Sequence, residues 1–262
     1  MTATVTPVPP PSTTTAPAPP RGYREALTRL RTAQKRTPGA PGYSRFVNRK
    51  LGRLIAAGAY VLNRTPNQVT AVSALFSFSG IAVLALFPRT GVVAAVVCAC
   101  LVVGYAFDAA DGQLARLRGG GSRTGEWLDH MVDAVKVAAL HLAVLVSLFR
   151  FDPPEHLAWL LVPIVFAGTA TSWFFGIILV DQIRRTDGRQ AAGTGPSPLR
   201  ALLVLPSDYG VICLLFGLLA TGAFLPVYTA VAAFNLLFFV ASLVRWYGEL
   251  TRADAAAATH ES

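Results

Sequence analysis

Long apolar stretches separated by short polar segments fill the chain from residue 69 onward. A helix needs roughly 20 mostly apolar residues to cross a bilayer whose hydrocarbon core is about 30 Å thick. The pattern therefore predicts an all-α integral membrane protein with six transmembrane helices. The spans are predicted at Val69–Phe87, Gly91–Phe107 with a polar continuation, Trp127–Phe149, Leu157–Val180, Leu199–Thr221 and Phe224–Tyr247.

The residues before the first span follow different patterns. Residues 1–20 are rich in Pro, Thr and Ala and carry no charge, a composition that favours a disordered tail. Between Tyr43 and Leu62, apolar residues recur at helical spacing among basic ones, which is typical of an amphipathic helix in the headgroup interface. The sequence thus predicts a disordered tail (1–20), a charged surface segment and linker (21–42), an interfacial helix (43–64), a six-helix membrane domain (65–247) and a cytoplasmic tail (248–262).

Two polar segments predict the starts of helices. The Thr-Pro-Asn segment at 65–67 places a capping Thr before a Pro at the first helical position, so the first span is expected to begin there. A glycine-rich break covers residues 119–122, and Thr124 is expected to cap the helix that follows it.

The charges favour a membrane surface over a nucleic acid as the partner. The chain is 53% hydrophobic and 14% charged, against roughly 25% charged residues in soluble domains. It carries 23 Lys and Arg against 14 Asp and Glu, and no apolar stretch resembles a nucleic-acid-binding module. Because Lys and Arg concentrate in cytoplasmic loops, both termini are predicted to be cytoplasmic in a multi-pass protein of the cell membrane. The basic face is expected to contact anionic lipids, and no nucleic-acid partner is expected.

Five acidic residues interrupt the apolar pattern within one 26-residue window. Two lie three residues apart at the polar end of the second span, and two lie four apart near the start of the third, so each pair shares a helix face. The short loop between these spans makes them antiparallel neighbours. We therefore expect the acids to converge just inside the cytoplasmic interface; they are Asp108, Asp111, Glu126, Asp129 and Asp133.

The four aspartates of this window are candidate metal ligands. Four negative charges cannot share a small volume at low dielectric without protonation or cations. An all-oxygen ligand set suits Mg²⁺ or Mn²⁺, and two such ions bridged by carboxylates form an arrangement used in phosphoryl chemistry. The sequence therefore predicts two divalent ions held by Asp108, Asp111, Asp129 and Asp133.

Small residues and one arginine accompany the acids. Gly112 and Ala115 lie on the same helix surface as Asp108 and Asp111, and Gly125 lies one turn before Asp129. They leave room for a nucleotide, although close helix packing would equally require them. Arg116 supplies a charge-assisted donor for phosphate.

The pattern Asp108-x2-Asp111-Gly112-x2-Ala115-Arg116-x8-Gly125-x3-Asp129-x3-Asp133 resembles the signature of the CDP-alcohol phosphotransferases. The resemblance implies transfer of a phosphoryl-linked group from a CDP-alcohol, most often CDP-diacylglycerol, to the hydroxyl of a second alcohol, with release of CMP. It also implies a homodimer. By this resemblance the four aspartates are metal ligands, and Asp133 is also the general base. The nucleotide is contacted by Asp108, Asp111, Gly112, Ala115, Arg116 and Gly125.

The roles of some further candidate site residues are each open to two interpretations. Gly125-Glu126-x-x-Asp129-His130 resembles a segment of the choline and ethanolamine phosphotransferases, which makes Glu126 a rival for the base. His130 could orient a phosphate or the acceptor, or simply pack at the interface. A cluster after the fourth span could bind a phosphate on a small or lipid alcohol acceptor, or reflect positive-inside topology alone; it comprises Arg184, Arg185 and Arg189.

Three other classes compete with this interpretation. A polytopic prenyltransferase also presents aspartates to Mg²⁺ and a diphosphate, but from two motifs far apart in the chain. A cation transporter would spread its acids across several helices near mid-membrane. An inactive membrane scaffold would tolerate losses from the signature. The sequence favours an integral-membrane CDP-alcohol phosphatidyltransferase of phospholipid biosynthesis.

Overall fold

The computed structural model describes residues 20–32, 42–188 and 205–260, which are helical with short connections and contain no strand. A π-helical turn (Ser44–Asn48) precedes α2, and 3-10 turns lie at Leu157–Leu160, Leu205–Ser207 and Phe216–Leu218. The α-helices of this part of the chain are α1 (Tyr23–Thr32), α2 (Arg49–Val61), α3 (Pro66–Leu86), α4 (Gly91–Leu117), α5 (Arg123–Phe151), α6 (Leu161–Thr186), α7 (Tyr209–Leu215) and α8 (Phe224–His260).

Among the described residues, five helices are long and apolar enough to cross a membrane: α3, α4, α5, α6 with its preceding 3-10 turn, and α8. The predicted fifth span, 199–221, is only partly described, because residues 199–204 lie outside the described ranges. Its described part contains a shorter apolar helix, Tyr209–Leu218. Also outside those ranges are residues 1–19, 33–41 and 261–262, and Arg189 of the predicted arginine cluster.

The predicted start of the first span is confirmed, and that of the third is corrected. Thr65 caps α3 in a capping box with Gln68, and Pro66 occupies the first turn. At α5 the cap is Ser122, whose hydroxyl accepts a 3.0 Å hydrogen bond from the Gly125 amide, so the expectation for Thr124 was wrong. The chain reverses before Ser122 through two residues with positive φ, Gly119 and Gly120, a conformation that favours glycine.

Helix α4 is held between α2 and α3 by small residues. The Ser73 hydroxyl of α3 donates to the Gly104 carbonyl of α4 at 2.9 Å, and a Cβ at Gly104 would lie 3.1 Å from the Ser73 carbonyl oxygen. On the side of α2, a Cβ at Gly52 would lie 2.9 Å from the Cβ of Ala109. Because small residues let helix backbones approach closely, the polar end of α4 is fixed in position.

Two apolar clusters complete the packing of the described residues. The larger one joins α3, α4, α5, α6, α7 and α8 around buried side chains such as Leu84, Leu101, Leu140, Phe166 and Tyr228. The smaller one joins α1 and α2 to the end of α4 through Ala26, Leu30, Ala56 and Leu114. The N-terminal helices therefore cover the end of α4 that carries the acidic residues.

Helix α8 extends well beyond its predicted span. Its 37 residues correspond to about 55 Å of helix, more than the roughly 30 Å of a bilayer core. The predicted tail at 248–262 is thus a continuation of α8 as far as His260.

Candidate active site

The end of α4 and the start of α5 bring three acidic side chains together. Carboxylate oxygens of Asp108, Asp129 and Asp133 lie within 4.8 Å of one another, an arrangement that could hold a metal ion. All three side chains are partly buried. The glycine turn joins α4 to α5, so residues 21 and 25 positions after Asp108 return to its level. Both helices pack against α3, whereas the sequence predicted that they pack against each other. We call these three residues the acid group.

Asp111 lies beside the acid group but is oriented by different neighbours. Its Oδ2 accepts a 2.7 Å hydrogen bond from the Thr70 hydroxyl of α3, and its Oδ1 accepts one of 2.5 Å from the Gly112 amide. The side chain is buried. The structure therefore brings three of the four predicted ligands into one cluster and holds the fourth against α3.

Lys136 is a site residue that the sequence reasoning missed. Its ammonium lies 3.0 Å from an oxygen of Asp108 and 2.5 Å from an oxygen of Asp133. The side chain is 3% exposed, and the ammonium lies over the ring of Tyr209 at 5.2 Å. The sequence could have pointed to Lys136, because it is a lysine inside an apolar span. Charged residues are costly there and tend to be functional.

The acid group has the chemistry of a site for a hard divalent cation. The three carboxylates supply only oxygen ligands, which Mg²⁺ and Mn²⁺ prefer. Their like charges lie close together at partial burial, a repulsion that a cation would relieve. The residues present thus fit the ions that the sequence predicts.

A cavity of about 1020 Å³ opens beside the acid group, between the ends of α3, α4, α5 and α6 and the interior of α8 around Arg245. A Cβ at Gly112 would meet only the Arg116 guanidinium, at 3.5 Å, so this glycine leaves open space. A Cβ at Gly125 would lie 3.0 Å from the Asn67 side-chain oxygen. The predicted nucleotide-binding residues that line the cavity are Asp111, Gly112, Ala115, Arg116 and Gly125, together with Asp129 of the acid group.

A second, smaller cavity of about 280 Å³ lies between the π-helical turn, the start of α2 and the end of α4. Asp108 lines this cavity, and Asp111, Gly112, Arg116 and Asp129 line both cavities. Asp111 and Asp129 therefore border both cavities.

Glu126 and His130 lie on α5 at the edge of the larger cavity. The Glu126 carboxylate accepts a 3.2 Å hydrogen bond from Arg185, and its side chain is 49% exposed. The His130 Nδ1 lies 4.0 Å from an Asp129 oxygen, and its ring meets Phe174 edge to face. Glu126 is therefore paired with an arginine, whereas His130 stands next to the acid group.

Arg184 and Arg185, predicted to bind an acceptor phosphate, line the larger cavity and are paired with carboxylates. Arg184 makes two hydrogen bonds of 2.7 Å to Glu249, which tie α6 to α8. Arg185 contacts Asp181 at 2.8 Å as well as Glu126. Sequence reasoning did not identify three further arginines that line this cavity, Arg118, Arg123 and Arg245.

The helices and the site define a class of protein: an all-helical protein with membrane-spanning helices and a carboxylate site suited to divalent cations. Residues 63–246 match the CDP-alcohol phosphatidyltransferase family, and the chain belongs to this family. The resemblance seen in the sequence is therefore confirmed.

Similar proteins include phosphatidylinositol phosphate synthases. The one from Corynebacterium glutamicum is 39% identical over 97 residues, 37% of this chain and 42% of that protein, so the match spans less than half of the relative. The fold is similar to crystal structures of Mycobacterium tuberculosis phosphatidylinositol phosphate synthase. The structure with manganese and citrate has a TM-score of 0.51 at 20% identity, over 74% of this chain and 87% of that one. The structure with CDP-DAG bound has a TM-score of 0.50 at 22% identity, over 77% and 94%.

Proposed function

We propose that this protein transfers a phosphatidyl group from CDP-diacylglycerol to the hydroxyl of an acceptor alcohol and releases CMP. The observation that carries the proposal is the acid group next to a large cavity lined by Gly112, Ala115 and Arg116 of the family signature. A structural neighbour with bound CDP-DAG supports the choice of donor. A neighbour with manganese supports the use of a divalent ion.

The proposed reaction is a direct displacement at phosphorus. The acceptor hydroxyl oxygen bonds to the phosphorus that carries the diacylglycerol, and the bond from this phosphorus to the CMP oxygen breaks. The electron pair of that bond leaves with CMP, and the hydroxyl proton passes to a carboxylate. Divalent ions at Asp108, Asp111, Asp129 and Asp133 would neutralise the pyrophosphate and the leaving CMP.

We assign the general base to Asp133 and not to Glu126. Asp133 belongs to the acid group, whereas the Glu126 carboxylate is hydrogen-bonded to Arg185 and half exposed. Both carboxylates contact a cation, Asp133 the Lys136 ammonium and Glu126 the Arg185 guanidinium, so the assignment rests on the place of Asp133 within the acid group. His130, next to Asp129, is assigned the orientation of a substrate phosphate.

We further propose that the acceptor carries a phosphate group. The cavity that reaches Asp129 is also lined by Arg123, Arg184, Arg185 and Arg245, a concentration of guanidinium groups that suits an anion. A relative named for phosphatidylinositol phosphate synthesis supports this choice. Arg185 would contact the phosphate, and Arg184, held by Glu249, would support the α6–α8 wall.

The proposed arrangement in the cell membrane has six spans, with both termini and the active site on the cytoplasmic side. In support, the described part of the predicted fifth span runs from the level of the acid group, where the Lys136 ammonium lies over the Tyr209 ring, to the opposite end of the bundle. At that end the Leu219 carbonyl accepts a hydrogen bond from Arg89. We also propose a homodimer, to be checked by mass in detergent, and contacts of anionic lipids with the basic residues of α1 and α2.

An assay of CMP release tests the function. Purified protein is given radiolabelled CDP-diacylglycerol, Mg²⁺ or Mn²⁺ and a panel of alcohols. We expect metal-dependent CMP release, and a loss of at least about a hundredfold in Asp129→Asn, because the acid group loses a charge. Asp254 is exposed on α8, so Asp254→Asn is the control and should retain the wild-type rate. Wild-type activity in Asp129→Asn would contradict the metal assignment.

The same assay tests the acceptor. Polyols and their monophosphates are compared in pairs, and the phosphorylated member is expected to be used at least about tenfold better because arginines line the cavity. Equal use of both members of each pair would refute the anionic acceptor while leaving the donor reaction intact.

A further inference from the structure

Lys136 is a buried cation inside the group of carboxylates. It lies on α5, one turn after Asp133, and its ammonium bridges Asp133 to Asp108 of α4. The motif that identifies the family does not include this position. A buried lysine is costly unless it is paired, and here the pairing joins the two helices that carry the acidic residues.

The position of the ammonium determines what it can do. It contacts one oxygen each of Asp108 and Asp133, and these two residues supply two of the three carboxylates that lie within 4.8 Å of one another. The ammonium therefore competes for the carboxylates that a divalent cation would use. The Tyr209 ring and the surrounding helices leave it 3% exposed, so solvent screens the charge only weakly.

We propose that Lys136 is a positioning residue that acts as an internal counter-ion: it holds Asp108 and Asp133 together before a divalent cation binds and weakens the affinity of the site for that cation. The proposal rests on the metal-binding role of the acid group in the proposed function. Lys136 contributes to the assembled site through the two carboxylates and has no direct part in the bond-forming step. It offsets carboxylate repulsion in the metal-free protein, and its positive charge opposes the incoming ion.

The charge balance supports this role. Three ionised carboxylates carry three negative charges, and the ammonium offsets one of them. Two negative charges then remain on the acid group, which match one divalent cation in magnitude, and Asp111 beside the group supplies a further carboxylate for the second ion of the proposed function. Without the lysine, the metal-free protein would hold three like charges together, which is unfavourable, and the same site would attract a cation more strongly.

Mn²⁺ binding to the full-length protein in detergent tests the proposal without any substrate. The free ion is measured by electron paramagnetic resonance, and the dissociation constant is compared among variants. Lys136→Met removes the charge at similar length, and Lys136→Arg keeps it. Lys50→Met is the control, because Lys50 is exposed on α2. Lys136→Gln is a second neutral variant for use where the Met variant does not fold.

We expect the neutral variants to bind Mn²⁺ at least about fivefold more tightly than wild type, and the Arg and Lys50→Met variants to stay within about twofold. The neutral variants should also have a lower melting temperature without Mn²⁺ and a larger rise on its addition. Unchanged or weaker binding in the neutral variants overturns the proposal, as does an equal change in Lys136→Arg. Absence of Mn²⁺ binding in the wild type overturns the metal assignment itself, and with it this role of Lys136.

Discussion

Gly112 borders both cavities without being required by the packing of the helices. A Cβ at this position would approach only the far end of the flexible Arg116 side chain. The fold therefore tolerates a methyl group there, and the space that the methyl would fill belongs to the cavity. A substitution at Gly112 can therefore change substrate binding without changing the stability of the protein.

Gly112→Ala is accordingly predicted to weaken substrate binding and leave the fold intact. We expect KM for CDP-diacylglycerol to rise about tenfold, in line with the effect of one extra methyl group in a fitted pocket. The melting temperature should stay within about 2 °C of wild type, because nothing in the helix packing is displaced. Gly168→Ala in α6, where a Cβ meets nothing within 4 Å, is the matched control. A large fall in melting temperature with unchanged KM would show that Gly112 serves packing instead.

At the level of single residues, the sequence predicted which acidic side chains converge but not which side chains contact them. Spacing alone predicts that Asp108, Asp129 and Asp133 meet, because a short turn between α4 and α5 returns these positions to one level. The prediction that α4 and α5 pack as neighbours was wrong, since both pack against α3 instead. The hydrogen bond from Thr70 to Asp111 depends on how α3 packs against α4, which no local pattern reports. The pairing of Lys136 with Asp108 likewise depends on the relative rotation of two helices.

Among the helices, the contact of α3 with α4 depends on the absence of a side chain at Gly104. A Cβ there would overlap the Ser77 hydroxyl and lie 3.1 Å from the Ser77 amide nitrogen and the Ser73 carbonyl. Two of the three atoms are backbone, so the helices themselves would have to separate. The separation would move Thr70 away from Asp111 and so disturb the site at its other end.

Gly104→Ala is therefore predicted to destabilise the protein by about 1–3 kcal/mol, as overpacking of a close contact does. The measurement is thermal unfolding in detergent, followed by helical circular dichroism. Gly58→Ala in α2, where a Cβ meets nothing within 4 Å, is the control and should be neutral or stabilising, since alanine favours helix over glycine. Equal melting temperatures for Gly104→Ala and wild type would refute the close contact.

Helix ends were the least predictable feature of the elements. Hydropathy falls after residue 247, but the following residues include several alanines that favour helix, so α8 continues to His260. In the predicted fifth span, Pro206 cannot donate a backbone hydrogen bond within a helix, and α7 starts afresh with Asp208 as its cap. Apolar length therefore predicts where a helix crosses the bilayer better than where the helix ends.

For the molecule as a whole, the distribution of arginines predicts the orientation. Arg89 contacts Asp152 and the Leu219 carbonyl, which places three connections of the described chain at the end opposite the acid group. That end carries few basic residues, whereas the end with the active site carries many. By the positive-inside rule the active site is predicted to face the cytoplasm.

Cysteine labelling in intact cells tests this orientation. In a protein with its three native cysteines replaced by alanine, single cysteines are introduced at Thr251 and at Glu155, both exposed. A membrane-impermeant maleimide should label Glu155→Cys from outside the cell and should label Thr251→Cys only after the membrane is opened. Labelling of Thr251→Cys in intact cells would exclude a cytoplasmic C-terminus.

The glycine turn between α4 and α5 has a further consequence for how the enzyme can diversify. All the acids proposed to bind metal, the nucleotide-facing small residues and Lys136 belong to one continuous stretch, 108–136, whereas Arg184, Arg185 and Arg245 come from α6 and α8. Under the proposed function, the donor is thus recognised by one helical hairpin and the acceptor by a separate part of the chain. Exchange of the later helices between relatives should alter which alcohol is modified while the hairpin keeps its dependence on CDP-lipid, so that one catalytic unit serves many products.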